Sequence, residues 1–192
     1  RDLVFGFRVF PPYCKLYRRD VIEKAGLRFD TGMKSAEDFD FNMRYIGQID
    51  RICYVPAVAY YYRVGYKSYV PSDRGVLGKS EIRSVHCMAH GMANFAKRLG
   101  VYEQVYDELC IWAAKKHYFN RLPMVFAENR AVSTAQRRKK YRELISDELY
   151  RTLFSRGIRR MPKSTTKIIG CRFDCFMGWN LFYAALHKTK KK

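Results

Sequence analysis

Acid is what this sequence is short of. Its 192 residues hold 18 Asp and Glu against 37 Lys and Arg, a formal charge of +19. A field of that sign favours polyanionic partners (phosphates, nucleotides, nucleic acid or anionic lipid) without choosing among them. Cysteine is present but not in metal or redox spacing: Cys14, Cys53, Cys87, Cys110, Cys171 and Cys175 contain no Cys-x-x-Cys, which removes the zinc-framework reading. No secretory leader opens the chain, so reduced thiols in the cytoplasm are expected, and a start at Arg1 suggests a piece of a longer polypeptide. No uninterrupted apolar run reaches the ~20 residues of a bilayer span. No segment repeats at a fixed period, which excludes solenoids and propellers. His86 and His90 stand at metal-ligand spacing, but no Glu follows His86 and no third ligand is evident, so ordinary helix-face histidines are expected there.

What is present is apolar material. With 48% hydrophobic and 16% aromatic residues the chain can bury a sizeable core, which argues against disorder and for one domain, or one domain with an appendage. Residues 1–70 read as mixed α/β. "RDVIEKAG" (19–26) is a short helix ended by Gly26. "DRICYVPAVAYYYRV" (50–64) is rich in β-branched and aromatic residues and broken by Pro56, which predicts two short strands, with a loop over 66–80. From Glu81 the apolar period becomes helical. Ile82, Val85, Met88 or Ala89, Met92, Ala96 and Leu99 form one stripe, ended by Gly100. Val105, Leu109, Trp112, Ala113 and Phe119 form a second, stopped near Pro123. A third helix follows Ser133 or Thr134, carries Tyr141, Leu144, Ile145, Leu149 and Leu153, and closes at Gly157; its "QRRKKYR" start reads as a solvated face.

One acidic stretch stands out against the basic background. "SAEDFDFNMRY" (35–45) brings Glu37, Asp38 and Asp40 into an apolar, aromatic segment, and a carboxylate there costs free energy unless a partner or a task holds it. A structural role would be a helix start: Ser35 and Asp38 match a capping box, Asp40 and Arg44 an i,i+4 ion pair, with Phe39, Met43 and Ile46 as the buried face.

The surroundings give the stretch a second meaning. Lys15 to Arg19 ("KLYRR"), Leu27 to Asp30 ("LRFD"), Glu37-Asp38, Tyr60 to Arg63 ("YYYR") and Ser68 occur in that order over about residues 13–68, a third of the chain. In this ordered set the chain resembles the second half of the catalytic domain of family 2 glycosyltransferases, bacterial enzymes that build capsule, exopolysaccharide or lipopolysaccharide. The resemblance implies an α/β fold: the acceptor-side half of a GT-A (Rossmann-like) domain over residues 1–75, then a mostly α-helical region over 76–160 and a basic, aromatic tail over 161–192. It implies an inverting transfer of a sugar from a nucleotide-diphospho-sugar donor to a saccharide or lipid-linked acceptor. Asp38 would be the general base and Glu37 would orient the acceptor. Arg63, Lys67 and Ser68 would hold the diphosphate, although Arg63 could equally pair with Asp30 or Asp40. A helix N-terminus is expected to lower the pKa of Asp38.

The Asp-x-Asp that binds Mg or Mn in the family belongs to a donor-binding half. No such motif precedes the match here, and "DFD" (38–40) overlaps the proposed base. The chain alone is therefore expected to bind no metal, to grip nucleotide sugar poorly and to be inactive. Two alternatives come from other classes: a basic nucleic-acid-binding domain, which lacks any RRM, KH or zinc signature, and a non-catalytic glycosyltransferase-like remnant. The tail, with Phe173, Phe176, Trp179, Phe182 and Tyr183 near helical spacing before Lys188, Lys190, Lys191 and Lys192, is either an interfacial helix on an anionic membrane or a helix docked on the protein's own core. The expected location is the cytoplasm, peripheral on the inner membrane if the tail binds lipid.

Overall fold

A computed structural model describes residues 2–5, 11–33, 35–61, 77–116, 121–126, 133–160, 176 and 178–181. Eight helices occur among them: α1 (Asp2–Phe5), α2 (Arg19–Lys24), α3 (Glu37–Ile46), α4 (Lys79–Arg98), α5 (Tyr102–Lys116), α6 (Leu122–Phe126), α7 (Thr134–Leu144) and α8 (Glu148–Arg160). No strand occurs among the described residues, which corrects the expected α/β layer over 1–75. The segment 50–61 is irregular and exposed throughout, and the backbone hydrogen bond within it is a tight turn, Ala57 N–H to Val55 O at 2.9 Å. Its β-branched and aromatic residues favour a pleated, half-buried surface, and propensity makes a strand only where a neighbouring edge accepts the ladder. Pro56 removes one donor as well.

The helical half follows its apolar stripes. α4 buries Ile82, Val85, Ala89, Met92 and Ala96 on one face, while Leu99, expected on that stripe, lies 42% exposed just beyond the helix. Gly100 adopts φ +69° and lets Val101 N–H reach Ala96 O at 3.0 Å; Gly26 (φ +59°) ends α2 in the same way, Leu27 N–H reaching Ile22 O at 2.9 Å. Both stops require the left-handed conformation that glycine adopts without strain. α5 and α8 form the most extensive helix pair, and with α4 they enclose Leu109, Cys110, Ala113, Leu153, Phe154 and Ile158.

The third stripe is two helices, not one. α7 starts at Ser133, whose Oγ accepts from Gln136 N–H (3.3 Å) while Gln136 Oε1 accepts from Ser133 N–H (2.9 Å). It ends at Leu144, and Asp147 opens α8 by accepting from Tyr150 N–H at 2.8 Å. Gly157, expected to close the third helix, instead lies buried inside α8. Asp147 also takes His90 Nε2 of α4 (2.7 Å), and His86 Nε2 meets Leu144 O (2.7 Å), so the two histidines tie α4 to the α7–α8 junction.

Burial alone would raise the Asp147 carboxyl, but the Tyr150 amide and the histidines outweigh it and hold it below the usual value. A lowered acid pKa stabilises the fold above the unfolded-state value, and that contribution is lost as pH falls through the lowered one. Asp147→Ala is expected to cost about 1–2 kcal/mol, the range of a lost helix cap. In urea titrations the gap to wild type should be full at neutral pH and close in strong acid. A gap of equal size at both would refute the charged cap.

Of the tail, Phe176 and Trp179 are buried in the main core, Phe176 against Phe126 and Tyr141 (ring centroids 5.5 and 6.1 Å apart). The docked-helix alternative is what these residues show. Phe173, Phe182, Tyr183 and the terminal lysines lie outside the described residues. No helix among the described residues is long and apolar enough to cross a membrane.

Candidate active site

The turn that leads into α3 is pinned to α4. Asp30 accepts from Gly32 N–H (2.9 Å) and pairs with Arg83, and buried Ser84 donates from Oγ to Ser35 O at 2.5 Å. Ser35 Oγ turns to Ser84 (3.2 Å) and does not cap α3. The N-cap is Ala36, held at φ +63°, and no side chain caps the helix there. The expected capping box is therefore absent because its serine is used across the interface.

α3 is a wedge with two buried faces. Phe39, Met43 and Ile46 face the main core, while Phe41 and Tyr45 join Leu27, Tyr17, Val21, Ile22 and Ile49 in a second cluster. Asp40 accepts from Arg44 Nε (2.8 Å), the expected i,i+4 pair, and receives Cys87 Sγ at 3.2 Å. Asp30 and Asp40, the alternative partners for Arg63, are thus paired with Arg83 and Arg44.

Glu37 and Asp38 are the first two residues of α3, both half-buried. Asp38 shares its surroundings with the "KLYRR" stretch laid along α3. Tyr17 OH donates to the buried Asn42 Oδ1 (2.6 Å), and Arg18 N–H donates to Tyr45 OH (2.8 Å). Lys15 donates from Nζ to Pro11 O and acts as an opposite charge toward Asp38. Burial chiefly, then the like charge of Glu37, raises the Asp38 carboxyl above the usual aspartate value, and Lys15 offsets part of this. This corrects the expected lowering: burial and a neighbouring carboxylate outweigh the helix terminus. Burial lowers Lys15 against the opposing pull of Cys14 and Asp38, and pushes Tyr17 up to about 12, with Asp38 and Tyr45 adding.

The sequence alone assigns no role to Lys15, Tyr17 or Asn42. The "KLYRR" motif held the signal for the first two; Asn42, one turn on from Asp38, carried none. Arg63, Lys67 and Ser68 lie outside the described residues. A cleft of about 290 Å³ opens between α3 and α4, lined by Asp40, Met43, Arg44, His90, Asn94 and Arg98 among others. It lies on the side of α3 away from Asp38, since residues two apart on a helix point in nearly opposite directions.

Around Asp38 the described residues form no metal-ligand cluster. Asp38 and Asp40 diverge for the same reason, Asp40 is held by Arg44, and no three potential ligands gather among the described residues. Comparison with protein-family models, with curated proteins and with solved structures finds no match.

Proposed function

We propose that the Glu37-Asp38 turn is the acceptor-activating element of an inverting glycosyl transfer from a nucleotide-diphospho-sugar to a saccharide or lipid-linked hydroxyl. The observation that carries this reading is Asp38 itself: a half-buried carboxylate in the first turn of α3, made more basic by burial and Glu37 and faced by Lys15. The ordered motifs from Lys15 to Ser68 supply the reaction class. A raised carboxyl pKa suits a general base, because it makes the carboxylate a stronger proton acceptor.

In the proposed reaction the acceptor oxygen bonds to the anomeric carbon as its proton passes to Asp38. The bond from that carbon to the diphosphate oxygen breaks, and its electron pair leaves on the nucleoside diphosphate. Glu37 orients the acceptor. Arg63, Lys67 and Ser68 take the leaving charge, as charge-assisted donors do for phosphate oxygens. In this reading the donor-binding unit, with any metal it carries, is contributed from outside the described residues.

A second reading, a non-catalytic relative, is favoured by the segment 50–61, which forms no strand and leaves Ile52, Val55, Val58 and Tyr61 each more than half exposed. One experiment separates them. The natural gene product is incubated with a panel of nucleotide sugars and with saccharide and lipid-linked acceptors, and nucleoside diphosphate release is measured. Acceptor-dependent release with at least one sugar is expected; no release with any would favour the non-catalytic reading.

A further inference from the structure

We infer that the exposed face of α7 is a docking surface for an anionic membrane. Tyr141 and Leu144 turn inward, which leaves Ala135, Arg138, Lys139 and Arg142 outward along a shallow groove that Thr134 and Glu143 complete. Among the described residues no carboxylate pairs with Lys139 or Arg142, and Arg138, Lys139 and Arg142 are gathered along this one groove. Charge complementarity therefore calls for an anionic partner at this face.

The form of the face selects the partner. Single-stranded nucleic acid is held by cations interleaved with rings on which bases stack. The outward side of α7 carries no ring, because its one aromatic, Tyr141, is buried. A bilayer asks only for a row of cations that lies flat, with an apolar side chain beside it.

The tail meets α7 at Phe176. Arg138 sits over the Phe176 ring at 5.4 Å, and five residues further on Leu181 is 61% exposed, with Lys188, Lys190, Lys191 and Lys192 following in sequence. With Phe176 and Trp179 turned into the core, cations rather than these aromatics make the contact.

The test is vesicle co-sedimentation of the full chain, with phosphatidylcholine alone and with a third of it replaced by phosphatidylglycerol. The Lys139→Gln, Arg142→Gln double variant is compared with Lys24→Gln, Lys115→Gln, which removes equal charge from exposed positions on α2 and α5. Each basic side chain near an anionic surface contributes about fivefold, so the α7 pair should weaken partitioning on the order of twentyfold. The control pair should change it by no more than about threefold, and added salt should abolish wild-type binding. Equal losses in the two variants, no wild-type preference for anionic vesicles, or displacement from them by single-stranded RNA at matched phosphate would overturn the inference. Matched melting curves of the variants establish that both remain folded.

Discussion

Asp38→Asn is expected to abolish most glycosyl transfer by the natural gene product, lowering turnover about 10²–10⁴-fold, the usual worth of general-base catalysis. The amide matches the carboxylate in shape but cannot accept the acceptor's proton. Donor binding should be preserved, because the diphosphate contacts are assigned elsewhere. Stability should hold or rise slightly. Burial and Glu37 disfavour the ionised Asp38, so a neutral isostere relieves a cost that the folded state bears at neutral pH. Steady-state kinetics with a urea titration on the same preparations separate lost chemistry from lost folding. Turnover within a few-fold of wild type would remove Asp38 from the mechanism.

Gly157→Ala should be the most destabilising conservative change in the helical region. A β-carbon at Gly157 would stand 1.8 Å from the Cys110 carbonyl oxygen and 2.9 Å from Ala114 Cβ. The first obstacle is backbone, which cannot rotate away as a side chain does, so α8 must lift off α5. That separation loosens Leu109, Leu153, Phe154 and Ile158, all essentially fully buried between these helices and α4. Overpacking typically costs about 1–3 kcal/mol and more where no rotamer relieves it. Against this, alanine gains up to about 1 kcal/mol in helix propensity. A net loss of about 3 kcal/mol or more is expected by denaturant unfolding. At Gly100, where a β-carbon meets nothing within 4 Å, Ala should cost only the left-handed backbone strain of roughly 1–2 kcal/mol. A Gly157→Ala protein as stable as wild type would mean that α5 and α8 do not cross at this residue.

The sequence was legible where local signals and tertiary packing agree. α4 could be read from its stripe and from Gly100, and the start of α7 from Ser133 or Thr134. Gly157 misled because glycine commonly stops helices, whereas here its missing side chain admits the neighbouring backbone. The α7–α8 break was hidden by an apolar stripe running across it, although Ser146-Asp147 carried a cap signal. At 50–61 a strong β propensity met no partner edge among the described residues, and pairing is a non-local property that propensity does not contain. The candidate site divides in the same way. The position of Glu37 and Asp38 at a helix start was readable, but the basicity of Asp38 was not. It depends chiefly on how deeply packing buries the carboxyl, with Glu37 adding to the rise and Lys15, more than 20 positions away in sequence, opposing it.

The proposed base role of Asp38 is tested most directly by the pH dependence of kcat/KM for transfer. Wild type should lose activity on the acid side with an apparent pKa above the ordinary aspartate value of about 3.9. Lys15→Met should move that limb to still higher pH, since the cation that favours the ionised carboxylate is gone. In Asp38→Asn the limb should vanish from the residual activity. An acid limb that survives unchanged in Asp38→Asn, or that Lys15→Met leaves in place, would contradict the account.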